Sequence, residues 1–121
     1  MPPEDRDYAY LWDMLDAARA AVEIAANISR EALAADRMRM LALERVLEII
    51  GEAARRVSES YRDAHPTIPW RAIIGQRNII AHEYGSVDHP RLIETVKRDL
   101  PALITTIEAL LPSSGERAGG A

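Results

Sequence analysis

The stretch Arg77-Asn78-Ile79-Ile80-Ala81-His82-Glu83-Tyr84 gathers a guanidinium, a carboxamide, an imidazole and a phenol. On a helix, Asn78 and His82 are four apart and share a face, about 6 Å along the axis, so the Asn amide can bond one imidazole nitrogen and select its tautomer. Arg77 and Tyr84 are seven apart and lie about 20° from alignment. His82 is turned by roughly 140° from Arg77, but it occupies the last turn before Gly85, where the backbone loosens. This set suits RNA cleavage by transesterification. A base takes the 2′-hydroxyl proton, an arginine stabilises charge growing on the phosphoryl oxygens, and an acid protonates the leaving oxygen. None of these steps requires a metal or a cofactor. The chemistry wants two proton-transfer groups and each chain offers one well-framed histidine, so a two-fold dimer with these helices side by side would supply both.

The same residues also have a purely structural reading. A histidine near a helix C-terminus is favoured by the helix dipole by about 0.3–1 kcal/mol. Asn78 can bond backbone, and Arg77 can pair with an acid on the preceding long helix, such as Glu48 or Glu52. Of the other histidines, His65 precedes a proline in a turn and is expected to be exposed, and His89 sits in a loop. His82-Glu83-Tyr84-Gly85-Ser86 lacks the second histidine of the two-turn zinc pattern. There is no phosphate-binding glycine loop and no Gly-x-Ser-x-Gly elbow. With no cysteine, disulfides, thiolate chemistry and Cys-ligated zinc are excluded.

The elements that must position these groups are helical. At 121 residues, 48% apolar and 28% charged, the chain has the size and composition of one globular domain. It has no apolar run near the ~18 residues needed to span a membrane, and its acidic N-terminus is unlike a signal peptide, so the cytoplasm is the expected location. A first helix is expected over about 5–29, with Leu11, Met14, Leu15, Ala18 and Val22 at steps of three and four. A second is expected over about 36–61 on the stripe Met40, Leu43, Leu47, Ile50, Ala54, Val57. Gly51 lies inside it, where glycine costs about 1 kcal/mol relative to alanine, which points to close helix packing. A third helix opens at Thr67-Ile68-Pro69 and stops at Gly85; a fourth is capped by Asp88 and runs through Leu110, with Pro101 set to kink or break it. This is an all-α up-down bundle of four to five helices over residues 1–111, with a disordered tail over 112–121. The net charge is −4, and residues 55–77 stand out with five arginines against two acids. That local excess suits holding a phosphate at one place rather than coating nucleic acid, and it reads equally as a solvated helix face.

Ile68-Pro69-Trp70, the run Gly75 to Tyr84 and Val87-Asp88 together resemble the HepT-like branch of the HEPN superfamily, with its R-x4-H-x-Y motif intact. Leu47-Glu48-Ile49-Ile50-Gly51-Glu52-Ala53-Ala54 is similar to that family's second-helix signature, and the likeness spans roughly residues 5–111. The resemblance implies a HEPN-like, dimer-forming bundle and a metal-independent endoribonuclease whose catalytic residues are Arg77 and His82, in a cleft at the dimer interface, supported by Asn78. It implies the toxin of a type VII-like toxin–antitoxin pair, with RNA as substrate and a minimal nucleotidyltransferase antitoxin as partner. That antitoxin would transfer AMP from ATP to Tyr84. Adenylates two residues past His82 would set phosphates beside the cleft, occupy Arg77 and repel RNA. The turn Leu33-Ala34-Ala35-Asp36 departs from the family in lacking an aromatic, which touches packing rather than the site. Glu52 and Asp88 are placed either to line the site or to hold it together. The reading from another class is a non-catalytic helical partner of a nucleotidyltransferase, or a nucleotide-binding subunit, that uses Arg77 as a phosphate anchor.

Overall fold

The computed structural model describes residues 3–82 and 87–112, with side chains from residue 5 onward. Four long arms make the bundle: α1 (Pro3–Ile24), α3 (Arg37–Arg56), α5 (Trp70–His82), and a final arm of α6 (His89–Glu94), a π-helical turn (Thr95–Asp99) and α7 (Leu100–Leu110). Two short helices, α2 (Arg30–Ala35) and α4 (Glu59–Ala64), form corners between arms. Among the described residues there is no strand, and no helix is long and apolar enough to cross a membrane. The expected all-α bundle is therefore present, with four arms and two short corner helices among the described residues. Of the expected tail, the residues past Pro112 lie outside those described.

The apolar stripes meet in one core. Leu11, Met14, Leu15 and Ala18 of α1 are buried with Leu43, Leu47 and Ile50 of α3, and with Leu92, Val96, Leu100 and Ile107 of the last arm. α1 packs between α3 and α7, and α5 lies on the other flank of α3. Full burial of each such side chain is favourable by about 1.5–3 kcal/mol before chain entropy is counted.

Three boundaries in the first half of the chain differ from the sequence expectation, each for a reason visible in its contacts. The first helix ends at Ile24 rather than Ser29, where Asn27 takes φ 60° and turns the chain out of the helix. Lys97 Nζ then donates to the carbonyls of Ala25 (2.9 Å) and Ile28 (2.8 Å), tying the last arm to that end. Second, residues 30–35 form a helix rather than a turn, capped by Ser29 Oγ, which accepts from the Ala32 amide at 3.1 Å, with Leu33 buried beneath. Third, the second long helix stops at Arg56 instead of reaching Tyr61. Asp7, 6% exposed, accepts from the Ser58 amide (2.8 Å) and hydroxyl (2.7 Å), and Ser58 in turn caps α4.

Two further junctions set the entry of α5 and of the last arm. Ile68 is buried and Trp70 Nε1 donates to the His65 carbonyl (3.0 Å), so α5 begins at Trp70 rather than Thr67. His65 is half-buried rather than exposed: its ring stacks on Tyr61 at 4.0 Å and its Nδ1 donates to the Tyr61 carbonyl. Asp88 caps α6 as expected, accepting from the Arg91 amide at 3.0 Å. The interruption expected at Pro101 takes the form of a π turn just ahead of it, after which the arm restarts as α7 with Pro101 in its first turn. The π turn before it widens the backbone, so the ring of a residue without an N–H is taken in at the start of α7.

Candidate active site

Arg77 is the best-defined group of the motif. It leaves α5 toward α3, and its side chain is 17% exposed. Gly51 makes that route possible: a Cβ on Gly51 would land on Arg77 Cβ, lie 2.7 Å from Arg77 Cγ and sit 3.1 Å from the Ile73 carbonyl oxygen. The close packing expected at Gly51 is thus the passage of the Arg77 stem across α3. Beyond it, Arg77 Nη2 stands 2.9 Å from Glu52 Oε2, and Nη1 donates to Asn78 Oδ1 at 3.1 Å. The Nη2–Oε2 contact is an ion pair whose N–H is not aimed at the oxygen, since Glu52 Oε2 makes no well-formed hydrogen bond among the described residues. Arg77 Nε is likewise buried without a hydrogen-bond partner among them.

Glu52 is the hub of an arginine cluster. Its Oε1 accepts from Arg55 (3.0 Å) and pairs with Arg56 Nε (3.3 Å), one turn along its own helix. The hydrogen bond from Arg55 is the largest influence holding its carboxyl below the usual glutamate range; burial opposes it, and the charges of Arg55, Arg77 and Arg56 add to it. Three guanidinium groups around one carboxylate leave the spot net positive. Glu52, Arg56 and Arg77 line a groove of about 660 Å³ between α1 and α3, with Asp13 and Asp16 of α1 along its opposite wall.

His82 ends α5 and is exposed, as are Asn78 and Ile79 before it. The expected bond between Asn78 and His82 is absent among the described residues: the Asn78 amide oxygen accepts from Arg77 instead. Arg77 and Asn78 therefore touch through their side chains while lining separate grooves, Asn78 facing a second groove of about 470 Å³ shared with Arg62 and Arg71. Tyr84 lies outside the described residues. Asp88 serves as the cap of α6. Among the described residues no group of three or more His, Asp or Glu side chains is placed to hold a metal ion.

Sequence reasoning named Glu52 as one of two possible partners for Arg77, and the structure selects it over Glu48, which pairs with Arg45. It did not find that Asn78 and Glu52 hold the same guanidinium. The signal was available in the adjacency of Gly51 and Glu52, since a glycine that admits a side chain from the next helix sits beside the residue able to bind its tip.

Comparison with known proteins decides the family. The family model described as "Ribonuclease HepT-like" matches residues 14–110. The chain belongs to the HepT-like ribonuclease family of the HEPN superfamily. A Methanocaldococcus jannaschii protein, whose name marks it as an inferred RNase, is 35% identical over 100 residues, covering 83% of this chain and 92% of the relative. An inferred ribonuclease HepT of Thermococcus cleftensis is 37% identical over 101 residues, covering 84% and 92%. A third relative, an inferred RNase of Caldanaerobacter subterraneus, is 32% identical over 102 residues, covering 84% and 91%. No solved structure matches the chain.

Proposed function

We propose that this HepT-like chain is a metal-independent endoribonuclease acting as the toxin of a toxin–antitoxin pair, with Arg77 and His82 as its catalytic residues. The observation that carries the reading is the state of Arg77. Its stem is fixed and its tip held on two sides, by the Glu52 charge and by Asn78, yet among the described residues only the Nη1 bond to Asn78 uses one of its five N–H groups. A guanidinium so held, five residues ahead of an exposed histidine on one helix, is preorganised to meet a phosphoryl group. In the reaction, a histidine accepts the proton of a ribose 2′-hydroxyl as its oxygen attacks the adjacent phosphorus. Arg77 takes up the charge on the non-bridging oxygens. A second histidine protonates the departing 5′-oxygen, leaving a 2′,3′-cyclic phosphate.

That scheme needs a homodimer, because one chain presents one histidine at this end of α5. The exposed run Asn78, Ile79 and His82 leaves this face of α5 open to pairing, with Ile79 as an apolar contact between the two histidine-bearing helices. A two-fold axis beside it places two copies of His82 in one cleft. Control follows from Tyr84, two residues past His82: transfer of AMP from ATP to its phenolic oxygen, with release of pyrophosphate, adds anionic phosphate beside the cleft and blocks RNA. The partner in that transfer is a minimal nucleotidyltransferase antitoxin. The acids Asp13 and Asp16 opposite Arg77 favour a second reading, a non-catalytic subunit that binds the nucleotidyltransferase or a nucleotide and uses Arg77 as a phosphate anchor.

The test is cleavage of labelled total RNA in excess EDTA by wild type, Arg77→Ala and His82→Ala proteins, after intact mass confirms that Tyr84 carries no adenylate. Cutting by wild type that is lost in both variants is the expected result. No cutting by dimeric, unmodified wild type supports the binding-subunit reading.

A further inference from the structure

We propose that Glu52 is a positioning residue for the cleavage site: from α3, it fixes the direction in which Arg77 presents its free N–H groups. The inference rests on the ribonuclease reading above and adds a residue to it. Arg77 is constrained at three points. Its stem crosses the bare backbone of Gly51, its Nη2 faces Glu52 Oε2 at 2.9 Å, and its Nη1 donates to Asn78 Oδ1 at 3.1 Å. Of these, Glu52 alone comes from another helix with a full charge. The other two constraints lie at the root of the side chain or on the adjacent residue, so neither ties the tip of α5's arginine to α3.

An ordinary surface ion pair does not account for the arrangement. Arg55 and Arg56, three and four residues on from Glu52, already satisfy its Oε1 within α3. The link to Arg77 uses the other oxygen and spans two helices. Arg77 is 17% exposed, against 54% for Arg55 and 59% for Arg56, so its guanidinium is the least hydrated of the three and the least free to swing. The flanking pair holds Glu52 ionised and stationary, and Glu52 orients Arg77. What is left on Arg77, with Nε buried, is the second N–H of Nη1 and those of Nη2. Their direction is set before any phosphate arrives, which is the condition under which a donor stabilises developing charge without reorganising.

The experiment uses the full chain, 15N-labelled, with the Arg77 Nε–Hε resonance assigned by its loss in Arg77→Lys. Wild type is expected to give a dispersed, slowly exchanging signal. In Glu52→Gln that signal should merge with those of freely rotating arginines in a chain that is still folded at the temperature of measurement. In the same variant kcat for RNA cleavage should fall by about 100-fold, with KM changed far less. Glu52→Asp, which keeps the charge on a shorter arm, should restore part of both readouts, and it carries the test should Glu52→Gln fail to fold. An unchanged Arg77 signal in Glu52→Gln, or full kcat alongside active wild type, would overturn the proposal. If the signal collapses but wild type cuts no RNA, the positioning of Arg77 stands and the ribonuclease reading is what fails.

Discussion

Gly51→Ala puts a methyl group into the passage that Arg77 uses, and its cost can be worked from the contacts there. The new carbon would overlap Arg77 Cβ, come within 2.7 Å of Cγ and meet the Ile73 carbonyl oxygen at 3.1 Å. Neither the root of a side chain nor a backbone carbonyl can swing aside, so α3 and α5 must separate or the helix backbone must distort. Overpacking of this kind costs about 1–3 kcal/mol, and the rigid neighbours point to the upper half of that range. Alanine regains about 1 kcal/mol of helix propensity over glycine. The expected net loss is about 1–2 kcal/mol, or roughly 4–8 °C in melting temperature. The decisive control is the same change in an Arg77→Gly background. There the clashing stem is gone and only the Ile73 oxygen remains near, so Gly51→Ala should be neutral or stabilising by up to about 1 kcal/mol. Urea melts of the four proteins, at one protomer concentration and with equal slopes, give the coupling, expected near 2 kcal/mol. An equal cost in both backgrounds, or a gain with Arg77 present, would refute the account of why glycine stands at this position.

Asp7→Ala leaves the Ser58 amide and hydroxyl without their acceptor at a nearly buried site; a loss of about 1–3 kcal/mol is expected in denaturant melts. Because the same pair holds the bend between α3 and α4, amide exchange should rise first at Ser58 to Ala64. For Glu52, the carboxyl is held below its usual range in the folded chain, so the stability it contributes is present at neutral pH. It is lost as pH falls through the range below about 4.3, the ordinary glutamate value. Glu52→Gln should therefore lose less stability than wild type between neutral pH and that range, measured as the difference in unfolding midpoint; parallel acid profiles would rule the linkage out.

The long arms were legible because their apolar spacing is regular: Met40, Leu43, Leu47, Ile50 and Ala54 are all buried, as their steps of three and four require. What escaped was decided elsewhere in the chain. Val57 continues the α3 stripe and is buried, yet the helix ends before it because Asp7, fifty-one residues upstream, captures Ser58. α2 has one buried apolar residue, Leu33, and one such residue makes no periodicity. In the candidate site, residue types and the Arg77–Glu52 alternative could be read from spacing. The partner of Asn78 could not, since helical spacing points it to His82, whereas the guanidinium beside its amide oxygen is brought there by Glu52 and the Gly51 passage on another helix.

The π turn at Thr95–Asp99 has a consequence for how this chain can vary. A π turn holds about one residue more than the α turn it replaces. Buried positions on the last arm run Leu92, Ile93, Val96, Leu100, Leu103 and Ile107, with steps of four on either side of Val96 from Leu92 to Leu100, and the wider turn takes in the extra residue. Deleting one residue there would let the ladder close to an ordinary turn that holds one residue fewer, so Leu103 and Ile107 would still face the core. The same deletion inside α3 would rotate every later residue by about 100° and carry Ile50 and Ala54 off the core. The π turn is thus the place where the last arm can lose a residue without losing its face.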